Sequence, residues 1–199
     1  LAAWLVLLSA GSLLLTPVHA SQQVATAAIY YLLQSTLTGA AFFLVAGLIA
    51  RQRADGGDYF RAGPPVASWI RIAFLVVAAS AAGLPPFAGF VGKLMLLTTL
   101  RQTPAGTAIW IVLLGAGFLV MAALARQGCT LLWKPQALRL AATPAPAVGW
   151  QRALATLLLV AAAPLLAIFA GPLSAYAQRT ASQLHAPGAY VAGVLGAQR

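Results

Sequence analysis

Apolar positions in this chain run in long unbroken blocks, with neither the alternation of a half-buried strand nor the spaced stripe of a soluble amphipathic helix. Four blocks carry no charged residue over a length that crosses a bilayer core: Leu1 to Thr16, Thr26 to Ala50, Gln102 to Ala125 and Ala153 to Gln178. A core of ~30 Å needs about 20 apolar residues. Each block therefore predicts a membrane-spanning helix, the first a span cut short at 16 residues and ended by Pro17, the last carrying Pro164 and Pro172. All four are rich in Ala, Leu, Val and Gly, and small residues such as Gly115 and Gly117 suit close helix contact.

A fifth apolar region, between Arg71 and Arg101, has a different character. As one helix its residues would extend about 43 Å. At its middle stands Gly83-Leu84-Pro85-Pro86. Two adjacent prolines remove two backbone donors, and the residue before each is pushed out of the α region. A break is expected there, as a discontinuous helix or as two short helices tightly joined.

Composition closes off most other classes. The chain has 199 residues, 61% hydrophobic and only 7% charged, with Lys and Arg totalling 12 against 2 acidic residues. A soluble domain carries roughly 25% charged residues. The expected fold is all-α, a polytopic transmembrane helix bundle over residues 1–178, followed by a C-terminal tail at 179–199 with Pro187, Gly188 and Gly193. The net charge of +10 does not indicate nucleic acid. The basic residues lie on loops and helix ends, where membrane insertion itself favours them. Cys129, His19 and His185 are far apart in sequence and form no recognisable metal site. No cofactor motif is visible: no cysteine cluster, haem motif or nucleotide loop. The chain opens on Leu1 inside an apolar run without a basic leader segment, and it is expected to be the C-terminal part of a longer protein.

Charge also weighs the topology. If the broken region crosses once, Arg51, Arg53, Arg61, Arg71, Arg126, Lys134, Arg139 and Arg152 share one side, facing Arg101, Arg179 and Arg199. If it crosses twice, Arg101, Arg179 and Arg199 join Arg51, Arg53, Arg61 and Arg71, and the asymmetry is weaker. The single crossing is the cleaner fit to a cytoplasmic excess of positive charge.

Lys93 is the one ionisable side chain well inside an apolar stretch. A charge at that depth costs ~2.5–3.5 kcal/mol on insertion scales. Snorkelling would have to reach the level of Arg101, about 12 Å along a helix and beyond a lysine stem. The favoured reading is a functional lysine beside water, because irregular backbone at membrane depth is tolerated only within protein or next to a water-lined cavity. Tyr30, Gln34 and Thr38 repeat at helical spacing and lie on one face, with Ser35 beside them. Two readings stay open there: interhelical hydrogen bonding, or a hydrated face turned toward Lys93.

Two segments resemble a known family. Ala28-Ile29-Tyr30-Tyr31-Leu32-Leu33-Gln34-Ser35-Thr36-Leu37-Thr38-Gly39 is similar to the tenth-helix region of antiporter-like membrane subunits. Gly83-Leu84-Pro85-Pro86-Phe87-Ala88-Gly89-Phe90-Val91-Gly92-Lys93 resembles their Gly-Leu-Pro-Pro…Gly-Phe…Gly-Lys block. That family includes the large membrane subunits of NADH-quinone oxidoreductase, related hydrogenases, and the Mrp/Pha monovalent cation/proton antiporters. The loop Arg51-Gln52-Arg53…Gly57-Asp58 looks most like that of the D-type component of Mrp/Pha antiporters. The resemblance covers about residues 1–130 and implies fourteen helices with two inverted repeats, this chain holding the second repeat and the final helix.

It further implies a proton-translocating antiporter subunit coupled to Na⁺ or K⁺ movement, a transporter and not itself an enzyme, with other membrane subunits as partners in a bacterial inner membrane. The alternatives are a proton-pumping subunit of NADH-quinone oxidoreductase or a hydrogenase, and a structural membrane scaffold. The lysine at the position of Lys93 belongs in the family to a central chain of charged residues and water. Together with the polar face read from helical spacing, the candidate pathway residues are Lys93, Gln34, Thr38 and Tyr30, with Gly83, Pro85 and Pro86 as the break. Gln34 stands where many members have His, so a titratable relay group is replaced there. Lys93 is expected to find any charge partner outside this chain.

Overall fold

The computed structural model describes residues 2–16, 21–53, 66–101, 103–133, 148–186 and 188. The elements in order are α1 (Ala2–Leu14), α2 (Gln22–Gln52), α3 (Ser68–Ala82), α4 (Ala88–Leu100), α5 (Gly106–Gly128) continuing into a π-helical turn (Cys129–Trp133), α6 (Trp150–Ile168) and α7 (Ala170–His185). Among the described residues there is no strand. Helices α2, α5 and α6 are long and apolar enough to cross a membrane.

Helix α2 is the spine. Ser21 starts it, its hydroxyl accepting from the Val24 N–H at 3.3 Å. Its 31 residues extend about 46 Å. The halves of the broken region pack along it one after the other, antiparallel. Phe74 of α3 meets Phe42 edge to face at a centroid distance of 5.7 Å. Ser80 meets Thr38, Gly92 meets Tyr31, and Leu96 clusters with Ala27 and Tyr31. The progression from Phe42 down to Ala27 makes α3 and α4 one interrupted crossing. Helix α5 returns antiparallel to that pair: the Trp110 indole N–H donates to the Leu97 carbonyl at 2.8 Å, and Gly128 lies against Phe74. The main apolar core gathers Phe42, Val45, Ile70, Phe74, Val77 and Val160 around the α2–α3 contact.

Two expectations are corrected. The block Ala153 to Gln178 is not a single span. Helix α6 stops at Ile168, Phe169 leaves helical geometry at φ −92, ψ 22, and α7 begins at Ala170. Pro172 accounts for this: its ring excludes the carbonyl four residues back, at Ile168, while as the third residue of a new helix its missing N–H costs nothing. Pro164, in contrast, is carried inside α6. Second, α7 continues past residue 178 to His185, burying Ala177 and Ala181. The loop expected from Arg51 to Ala67 falls outside the described residues over 54–65. At its edges Gln52 remains helical, and its carboxamide oxygen accepts the Ala67 N–H at 2.8 Å.

Candidate functional site at the helix break

The break forms as its residues dictate. Gly83 ends α3 in the left-handed region, φ 83 and ψ 39, where a residue without Cβ is favoured. Its N–H donates to the Ala79 and Ser80 carbonyls at 3.1 Å each, and the Leu84 N–H donates to Ala79 at 2.9 Å, a Schellman-type ending. Pro85 and Pro86 follow, joined by a cis bond, and Phe87 precedes α4 in extended geometry.

This ending leaves the next two carbonyls of α3, those of Ala81 and Ala82, to be satisfied from elsewhere. Lys93 does so. Its ammonium Nζ donates to the Ala81 oxygen at 2.9 Å and to the Ala82 oxygen at 2.8 Å. Lys93 lies in the second turn of α4, and helical side chains lean toward the helix N-terminus. The stem therefore points back at the break. A cation at the C-terminal carbonyls also meets the negative end of the α3 dipole. A charge partner for Lys93 is expected only outside this chain, and the acceptors present here are two neutral carbonyls of the break itself.

The glycines around Lys93 permit this geometry. A Cβ on Gly89 would overlap the Ser80 carbonyl oxygen, so the two half-helices meet backbone to backbone there. Gly92 leaves room for Tyr31, whose ring would lie 3.2 Å from an added Cβ.

On the α2 side, Gln34 and Thr38 are both buried. The Gln34 amide donates to the Thr38 hydroxyl at 3.0 Å, and that hydroxyl lies 3.4 Å from the hydroxyl of Ser80, which is fully buried on α3. Sequence reasoning missed Ser80, although an isolated polar residue three places before the glycine of a break was a usable signal. Tyr30 takes another course. Its hydroxyl donates to the Leu166 carbonyl in α6 at 3.2 Å, and it is Tyr31 that borders the cavities at Lys93.

Lys93 separates two cavities. One, of about 40 Å³, is lined by Ser9, Tyr31, Gln34, Ser35 and Thr38. A water needs ~10–15 Å³ of such space, so it has room for about three. The other, of about 310 Å³, opens toward α1 and α5 past Ser12, Phe90, Gly117 and Met121. Among the described residues no His, Cys, Asp or Glu cluster able to hold a metal is present. The arrangement can do one kind of chemistry without further groups: an amine between two spaces can accept a proton from one and release it to the other.

A family model described as NADH:quinone oxidoreductase/Mrp antiporter, transmembrane, matches residues 8–119. The chain belongs to this family. The matched stretch contains Tyr30, Gln34, Thr38, the break and Lys93. Among individual relatives, the chain is similar to the D subunit of a probable K⁺/H⁺ antiporter of Rhizobium meliloti (strain 1021), with 29% identity over the whole of this chain and 42% of the relative. Its fold matches a chain in the solved Mrp complex from Dietzia sp. DQ12-45-1b at a TM-score of 0.68 and 21% identity, covering 88% of this chain and 40% of that one. The chain thus spans about two fifths of the length of these relatives.

Proposed function

We propose that this chain is part of a proton-translocating subunit, of the D type, in a multi-subunit monovalent cation/proton antiporter, working with other membrane subunits in a bacterial inner membrane. The observation that carries the reading is the position of the Lys93 ammonium, bound to the carbonyls of a broken helix and bordering both a small polar cavity and a larger one. A proton enters as Lys93 becomes charged and settles on the Ala81 and Ala82 carbonyls. It leaves when water in a bordering cavity accepts it. Gln34 and Thr38 carry no charge in this scheme; they order water by donating and accepting.

The family also includes proton-pumping subunits of NADH-quinone oxidoreductase. The antiporter reading is preferred because the relative aligned along the whole of this chain is an antiporter component. The single crossing of α3 and α4 brings the ends of α2 and α5, with Arg51, Arg53 and Arg126, to the same side as Arg71 and Arg152. That side is assigned to the cytoplasm.

The test is antiport in everted vesicles carrying the full complex, prepared from cells lacking their own antiporters. Addition of K⁺ or Na⁺ should dissipate an imposed pH gradient. Lys93→Ala should abolish the signal at matched expression. Lys93→Arg should abolish it too, because a guanidinium does not release its proton. Normal antiport from the Ala variant would remove Lys93 from the mechanism and favour a structural scaffold.

A further inference from the structure

Helices α3 and α5 touch at Phe74 and Gly128 but leave a groove of about 500 Å³ between them. Phe74 and Leu124, both buried, form its floor. Its rims are Leu75 on α3 and Ala125 and Cys129 on α5, all exposed, so the groove opens sideways to the outside of the bundle. On α3 the lining continues through Ala78 and Ala82 to Leu84 at the break. Arg71, Leu75, Ala78 and Ala82 recur at helical spacing and share one face, so Arg71 stands at the head of the groove.

The depth of the groove selects its occupant. From Arg71 to Ala82 the axis of α3 runs about 16 Å. Half of a ~30 Å hydrocarbon core is ~15 Å. The groove is thus one leaflet deep, beginning at a guanidinium and ending at the helix break. A membrane-spanning helix of another subunit needs a contact surface across the whole thickness, and this one stops half-way. A single acyl tail needs one leaflet. Left empty, the lining atoms would lack contact partners on one side.

Charge at the mouth selects the headgroup. The Arg71 Nη2 donates to the Ser68 hydroxyl at 2.8 Å. Arg126 is exposed in the last turn of α5, two residues before the Gly128 that lies against Phe74, so both guanidiniums stand at the same end of the groove. Among the described residues there is no Asp or Glu to balance them. Basic pockets between membrane helices bind anionic lipid headgroups, and the cytoplasmic leaflet is the anionic one.

We propose that the α3–α5 groove binds an anionic phospholipid, with one acyl tail along Leu75, Ala78 and Ala82 and the phosphate between Arg71 and Arg126. The proposal needs only that the chain spans a membrane; it does not depend on the antiport reading. Ala82 borders both this groove and the larger cavity at Lys93. The tail therefore packs directly behind the turn whose carbonyls hold Lys93 and braces the half-helix at its free end.

The test is native mass spectrometry of the purified, assembled complex, delipidated in detergent and then supplied with dioleoyl phosphatidylglycerol or dioleoyl phosphatidylcholine. With phosphatidylglycerol, the wild-type complex should retain one more lipid than a variant combining Arg71→Gln and Arg126→Gln. Ala125→Phe, which fills the groove from an exposed position and leaves both arginines in place, should lose the same lipid. Arg101→Gln, at the far end of the α3–α4 crossing, should keep the wild-type count. With phosphatidylcholine the wild-type complex should hold no lipid that the variants lack. An Ala125→Phe count equal to wild type overturns the groove as the seat of the tail. Equal retention of the two lipids by the wild-type complex overturns the anionic headgroup. A protein segment seated in the groove instead gives wild type and all variants the same count with either lipid, and overturns the proposal outright. If the double arginine variant does not assemble, Ala125→Phe and the comparison of the two lipids on the wild-type complex decide.

Discussion

Replacing Gly89 by alanine tests the geometry of the site without touching Lys93. The added Cβ would lie 2.9 Å from the Ser80 carbonyl carbon and 3.2 Å from the Gln34 amide nitrogen, where ordinary contact begins at 3.4 Å. The deficit is about 0.5 Å on the carbon and larger on the carbonyl oxygen it bears. The Gln34 amide can shift, but the chief obstacle, the Ser80 carbonyl, is backbone, so no side-chain rotation relieves it, and α4 must move away from α3 by something like 1 Å. Overpacking of this kind costs ~1–3 kcal/mol. Alanine regains up to ~1 kcal/mol over glycine inside a helix, so the net loss of stability is about 0–2 kcal/mol. The same displacement acts on the Lys93 bonds. At 2.9 and 2.8 Å to Ala81 and Ala82, they lengthen beyond hydrogen-bond range once the half-helices separate by ~1 Å. Misplacement on that scale can reduce a chemical step by ~100-fold.

Gly89→Ala should therefore assemble and yet lose most of its antiport. The measurement pairs vesicle antiport with a thermal unfolding scan of the purified complex. Gly115→Ala is the control, because nothing lies within 4 Å of the Cβ it would gain. That variant should keep full antiport with unchanged or slightly higher stability. If Gly89→Ala behaves like Gly115→Ala in both assays, the close crossing of the half-helices does not position Lys93.

Gly83→Ala should be milder in packing but strained in backbone: the left-handed conformation at φ 83 costs a non-glycine residue ~1–2 kcal/mol, and its Cβ would press on the Lys93 stem at 2.9 Å, so both the unfolding temperature and antiport should fall. Thr38→Val deletes the hydroxyl shared by Gln34 and Ser80; with membrane hydrogen bonds averaging ~0.6 kcal/mol, stability should change little, while antiport slows severalfold if the polar cavity orders water, and an unchanged rate removes Thr38 from the path. Tyr30→Phe deletes only the 3.2 Å bond to the Leu166 carbonyl, so antiport should persist with a stability loss of ~0.5–1.5 kcal/mol, and an antiport collapse would contradict the separation of Tyr30 from the site.

Much of this site could be read from residue order because each signal concerned a covalent constraint. Two prolines after Gly83 break a helix in any surroundings, and the spacing of Gln34 and Thr38 puts them on one face of any helix. The destination of the Lys93 side chain was less legible. Considering only the distance forward to Arg101 ignores the backward lean of helical side chains, and with it the two carbonyls that the break exposes. The division of the last span was missed for a related reason. Pro164 and Pro172 are equivalent in a sequence count, but only Pro172 stands where a new helix can begin without needing its N–H, and neighbouring helices can satisfy backbone freed by a proline within the membrane. Ser80 was hidden by its surroundings of alanine; only the packing of α3 on α2 shows that its hydroxyl meets Thr38.

The break and the lysine depend on each other physically. A Schellman ending in hydrocarbon would leave the Ala81 and Ala82 carbonyls unpaired, at a cost comparable to any buried acceptor without a donor. An ammonium alone at the same depth would be costlier still. Placed eleven residues after Ala82, Lys93 satisfies both carbonyls of its own chain and loses its isolation in doing so. That pairing is between a charge and neutral dipoles, so it is weaker than a pairing with a carboxylate and easier to undo. A lysine locked to an acid would hold its proton; a lysine held by two carbonyls beside water has a modest barrier to release. The absence of acidic side chains from the described lining of both cavities is, for that reason, the feature that leaves the Lys93 ammonium held by neutral carbonyls alone, with water space beside it to take the proton.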